Sequence, residues 1–137
     1  MKAIPCIANP MSPEDARNLD ALVLAYVGDG VQSLYVRTYL AASHGGRAGE
    51  LHSLSIGKVS AVAQAEEVDA VRRMFTPEED DVYRKARNHK SKSTAKNASV
   101  ADYRKASGLE AVWGYLYLTG QSERLGTLMS AAHKFEE

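Results

Sequence analysis

From Ala21 to Ala42 the only ionised side chains are Asp29 and Arg37, and this is the longest apolar stretch of the chain. Asp29 stands between two glycines, in Ala25-Tyr26-Val27-Gly28-Asp29-Gly30-Val31. A charged carboxylate in apolar company is costly unless something pairs with it. Each glycine adds roughly 1 kcal/mol of cost in a helix interior. A helix that accepts both penalties at adjacent positions has something approaching it closely there.

The pattern around this stretch is helical throughout. Residues 1–11 lack periodicity and read as an irregular arm. Ser12-Pro13-Glu14-Asp15 is a helix start, with Ser as N-cap, Pro at the first helical position and acids in the first turn. The helical segment runs to about Ser43, with a break near Asn18, and His44-Gly45-Gly46 stops it. Leu51, Leu54, Val59, Val62, Ala65, Val68 and Val71 predict a second helix over about Glu50–Phe75, kinked at Gly57. Thr76-Pro77-Glu78-Glu79 combines a capping box with Pro and opens a helix to about Arg87. Residues 88–98 read as a loop. Ser99-Val100-Ala101-Asp102 reads as a second capping box, for a helix to about Thr119 that Gly120 stops. A last helix covers about Ser122–Phe135. No segment reads as a strand, so the class is all-α.

At 137 residues, without a linker or repeat, residues 1–137 read as one domain with room for a core. The formal net charge is zero, so contact with nucleic acid requires a local patch. The single cysteine, Cys6, excludes an internal disulfide and fits a reducing compartment. Pro5, Asn9, Pro10 and Pro13 leave no apolar core for a signal peptide. No stretch has the uncharged length that spans a bilayer. The expectation is a cytoplasmic protein with no membrane partner.

Three features bear on chemistry. Asp29 is one. The second is Glu110, also in an apolar helix, with Ala106, Ser107 and Gly114 on its own face. Two acids with small neighbours are what a helical bundle offers a hard cation: Mg²⁺ takes one or two carboxylates, with waters and phosphate oxygens completing its shell. The alternative is that each acid pairs with a lysine or arginine or faces solvent. The third is a basic run: Arg84, Lys85, Arg87, Lys90, Lys92 and Lys96 follow one another with no acid between them. Such a patch suits a phosphate backbone, and its lack of aromatics argues against single-strand stacking. A solvated basic loop is the competing reading. The four histidines have no metal-ligand spacing, no serine sits in a nucleophile elbow, and Gly45-Gly46-Arg47-Ala48-Gly49 matches no phosphate-binding loop.

Leu24-Ala25-Tyr26-Val27-Gly28-Asp29-Gly30 and Gly108-Leu109-Glu110-Ala111-Val112-Trp113-Gly114-Tyr115-Leu116-Tyr117-Leu118 resemble the two signature helices of the ribonuclease III catalytic domain. Arg84-Lys85-Ala86-Arg87-Asn88-His89-Lys90, followed by Lys96-Asn97-Ala98, is similar to the Mini-ribonuclease III version. The likeness covers about Leu19 to Leu128 and leaves no room for a C-terminal double-stranded-RNA-binding domain, whose absence defines the Mini class. It implies the all-α ribonuclease III fold and a homodimer with a valley for double-stranded RNA. Asp29 and Glu110 match the family's catalytic and metal-binding acids. The cofactor implied is Mg²⁺, with Mn²⁺ as a substitute. Arg84, Lys85, Arg87, Asn88, Lys90, Lys92 and Lys96 are the expected RNA contacts.

The activity implied is metal-assisted hydrolysis to 5′-phosphate and 3′-hydroxyl ends, maturing the ends of the 23S ribosomal RNA precursor. A ribosomal protein that presents the substrate fits the family. The chain departs from full-length relatives, which carry further acids at the positions of Leu22, Ala25 and Ser107. That thinner shell puts a two-metal arrangement in question and supports a second reading: a non-catalytic helical dimer that binds structured RNA or a ribosomal protein. Retention of both Asp29 and Glu110 favours the enzyme.

Overall fold

The computed structural model describes residues 8–43, 46–89 and 99–133. Its helices are α1 (Pro13–Arg17), α2 (Ala21–Ser43), α3 (Ala48–Val59), α4 (Ala61–Val71), α5 (Pro77–Arg87), α6 (Val100–Leu118) and α7 (Ser122–His133), with a short 3₁₀ turn at Arg72–Met74. No strand occurs among the described residues. No helix among them is long and apolar enough to cross a membrane.

Capping chemistry sets most boundaries where expected. Ser12 accepts from the Asp15 N–H at 3.1 Å. Thr76 and Glu79 form the full reciprocal box, at 3.2 Å and 2.9 Å. Ser99 accepts from the Asp102 N–H at 3.0 Å. At the other end of α6, Gly120 takes φ +71°, and the Gln121 and Gly120 N–H groups donate to Leu116 and Tyr117 carbonyls. That six-to-one and five-to-two pair is the Schellman closure, and it needs a left-handed residue at this position.

One boundary differs from expectation. The helix predicted over 50–75 is two helices, and the break falls at Ser60 rather than Gly57. Ser60 is extended, at ψ 154°, and its hydroxyl accepts from the Ala63 N–H at 3.2 Å. A serine that offers this cap opens a new helix at little cost, while the apolar period continues across the break.

α6 is the central helix, packed on by α2, α4, α5 and α7. From Ala106 to Leu116 every residue is buried except Glu110, which is half-buried. A helix apolar on all sides belongs inside a bundle, and Leu109, Trp113 and Leu116 contribute to the core with Tyr35, Tyr83, Leu125, Leu128 and Met129. Truncating such a side chain, Leu109 for example, costs about 2–5 kcal/mol. The one carboxylate in this buried run, Glu110, is therefore the conspicuous group.

Candidate metal centre and RNA-facing end

Among the described glycines, the closest approach to a neighbouring backbone lies between α2 and α6. A Cβ placed on Gly28 would sit 1.6 Å from the Glu110 carbonyl oxygen, and one on Gly114 would sit 2.0 Å from that of Leu24. Both positions therefore require glycine, and the two backbones meet without side chains between them. The partner that Gly28 admits is thus α6 itself. Gly30 has nothing within 4 Å and faces open space.

This crossing brings Asp29 and Glu110 together. Asp29 is exposed beside it, and the Glu110 carboxyl hydrogen-bonds to the Asp29 side chain. Burial, then the hydrogen bond to Asp29 and its charge, push the Glu110 acid up to about 9. Two carboxyl groups in contact do not both ionise unless a cation lies between them. At neutral pH without a cation, Glu110 keeps its proton and donates a hydrogen bond to the Asp29 carboxylate. Ala25 and Ser107 are buried near this pair and offer no carboxylate. Among the described residues, no cluster of three or more His, Cys, Asp or Glu could hold a metal ion. The donor set is two carboxylates with solvent on one side, which fits a hard cation that keeps several waters and accepts phosphate oxygens.

Arg84, Lys85 and Arg87 occupy the C-terminal end of α5, which packs on α6 with Tyr83 against Gly108. Here the structure adds a counter-charge. Arg84 pairs with Asp80 at 2.9 Å, Lys85 pairs with Asp81 at 3.0 Å, and Arg17 reaches Asp81 at 3.2 Å. The Lys85 hydrogen bond, with those of Arg17, holds the Asp81 carboxyl below its ordinary range. Arg84 and Lys85 remain exposed, so phosphate can compete for them. Arg87 lies over the Tyr83 ring at 5.4 Å and donates to Asn88 at 3.1 Å. Lys90, Lys92 and Lys96 lie outside the described residues.

The ribonuclease III domain family matches residues 22–121. A Mini-ribonuclease 3 of Thermoanaerobacter sp. is 42% identical over 87% of this chain and 84% of the relative. The Mini-ribonuclease 3 of Enterococcus faecalis is 43% identical over 85% of this chain and 89% of the relative. The chain belongs to the Mini-ribonuclease 3 branch of the ribonuclease III family. It is an endoribonuclease. A solved structure from Fusobacterium nucleatum superposes with a TM-score of 0.77 at 26% identity, covering 85% of this chain and 94% of that one. The fold is the all-α ribonuclease III fold.

Some residues that shape this candidate site were not singled out by sequence reasoning. Asp80 and Asp81 stand four residues before Arg84 and Lys85, the spacing that pairs charges along a helix, and that signal was legible. Gln32 was not marked either. It is fully buried and accepts a hydrogen bond from Trp113 across the α2–α6 interface.

Proposed function

We propose that this endoribonuclease cuts double-stranded RNA in a Mg²⁺-dependent reaction, with Asp29 and Glu110 as the metal-holding carboxylates. The observation that carries the reading is the contact between these two carboxyl groups at the open edge of a backbone-close helix crossing. Both acids would hold one Mg²⁺, with Mn²⁺ as a substitute. The ion would supply charge neutralisation at the scissile phosphate and would ease deprotonation of the attacking water. Holding the ion would require Glu110 to release its proton to solvent, which would leave both carboxylates charged toward it. Asp29, on the solvent side, orients what binds there. Cutting leaves 5′-phosphate and 3′-hydroxyl ends.

The RNA lies across the α5 end, where Arg84, Lys85, Arg87 and Asn88, continued by Lys90, Lys92 and Lys96, contact its backbone. The enzyme acts as a homodimer. Val23, Tyr26 and Leu34 support this, since they project from α2 at 45%, 81% and 47% exposure, in line with Gly30. A row of exposed apolar side chains at helical spacing suits a two-fold contact between like helices. Its substrate is the 23S ribosomal RNA precursor in the cytoplasm, presented by a ribosomal protein. The test is cleavage of an end-labelled RNA duplex by purified protein. Cutting in Mg²⁺ that stops in EDTA and in Asp29→Asn is expected; full activity of Asp29→Asn removes Asp29 from the site.

A further inference from the structure

Asp29 and Glu110 sit beside a crossing of α2 and α6 at which, at Gly28 and Gly114, no side chain separates the two backbones. Backbone-to-backbone packing at Gly28 and Gly114 sets how close α2 and α6 come. Apolar packing around it is non-directional and leaves rotation and sliding weakly defined. A metal site built across such a joint requires its ligands to be held to within about 0.5 Å. Something directional has to fix the register.

One group does so. The Trp113 indole N–H donates to Gln32 Oε1 at 2.5 Å, and both residues are at 0% exposure. Gln32 lies three residues after Asp29 on α2, and Trp113 lies three residues after Glu110 on α6. Residues three apart are neighbours on a helix surface, so the bond joins the turns that follow each carboxylate, at the same offset on both helices. A hydrogen bond weakens steeply as its angle departs from linear, which apolar contact does not. The arrangement is also costly. The Gln32 amide nitrogen is buried with no hydrogen-bond partner among the described residues. Apolar replacements of both Gln32 and Trp113 would avoid that penalty, whereas replacing Gln32 alone orphans the Trp113 N–H. A polar group retained at a net cost inside a core is best explained by what it specifies, and register is the best-attested case.

We propose that Gln32 and Trp113 are positioning residues that lock the register of α2 on α6 and thereby hold Asp29 against Glu110. The proposal rests on the reading of those two acids as metal ligands. Gln32→Leu removes the acceptor and the unpartnered amide while keeping the volume; Trp113→Phe keeps an aromatic ring and removes the N–H donor together with the indole's second ring.

The test is a Mg²⁺ titration of melting temperature, paired with the Mg²⁺ dependence of cleavage at saturating RNA. Gln32→Leu exchanges the unpartnered Gln32 amide for an unpartnered Trp113 N–H, so without cation it should melt near wild type. In both variants the Mg²⁺ midpoint should rise about tenfold, the lower end of what supports of metal ligands contribute. A structural role alone would move melting temperature and leave the midpoint in place. Midpoints within about twofold of wild type overturn the proposal, whatever the change in melting temperature. If Gln32→Leu does not fold, the Trp113→Phe midpoint decides alone. Wild-type protein that Mg²⁺ does not stabilise defeats the metal reading and the register lock with it. A wild-type response that Asp29→Asn abolishes, alongside unshifted variants, defeats the lock only.

Discussion

Replacing Glu110 by glutamine should make the cation-free protein more stable while destroying its response to Mg²⁺. The Glu110 carboxyl is raised from 4.5 to about 9 by burial and by Asp29. The folded protein therefore holds this proton more tightly than the unfolded chain does. Stability from this group is complete below pH 4.5, falls as pH rises, and is lost through about 9. At pH 7 the unfolded chain gains ionisation energy that the native state forgoes, about 3 kcal/mol as a ceiling, since water entering the site reduces it. Glutamine resembles the protonated acid: its amide can donate to Asp29, and it has no proton to lose.

Urea unfolding in EDTA, at fixed protein concentration, should show wild type and Glu110→Gln alike near pH 4.5. Above that, the variant should gain about 1.4 kcal/mol per pH unit at most. Added Mg²⁺ should stabilise wild type increasingly with pH and leave the variant unmoved. A variant less stable than wild type at pH 8 in EDTA, by an amount independent of pH, would refute the reasoning, because Glu110 would then not be a strained acid at rest.

Other expectations follow from the same geometry. Gly28→Ala puts a methyl group into the Glu110 carbonyl and forces α2 from α6; a loss of about 3 kcal/mol and a vanished Mg²⁺ response in thermal melts are expected. Gly30→Ala, which meets nothing, should fold normally. Arg124→Ala leaves the buried Glu79 without the guanidinium that bonds it at 2.9 Å and 3.0 Å, and should cost about 3–5 kcal/mol in urea unfolding. Tyr26→Glu should leave a folded monomer by sedimentation, since its ring is 81% exposed on the unpartnered face of α2; an intact dimer would remove Tyr26 from the contact. Neutralising Lys85 and Arg87 together should reduce the salt dependence of duplex RNA binding by roughly two phosphate contacts; an unchanged slope would remove the α5 end from the interface.

Much of the fold was written locally. Ser12, Thr76, Ser99 and Gly120 act through neighbours three or four residues away, so the helix ends they set were readable from the chain alone. Ser60 carries the same kind of cap and was hidden by an apolar period that does not pause there. At the site, sequence placed two costly acids among small residues but could not say that they meet. Their contact is tertiary, made by Gly28 and Gly114 on helices far apart in the chain, and only the family resemblance linked them. The two glycines beside Asp29 also looked equivalent as letters. One is filled by the α6 backbone and the other is open, a difference that only packing creates. Gln32 reads as one polar residue in an apolar run until Trp113 is placed against it.

The central claim is that one α2–α6 crossing makes Asp29 and Glu110 a single divalent-cation site. Crystals grown with Mn²⁺ and measured for anomalous scattering test it most directly. The account predicts a metal bonded to carboxylate oxygens of both Asp29 and Glu110, with waters filling the remaining positions. A metal bound elsewhere, or held by one of these acids with the other turned away, would contradict it.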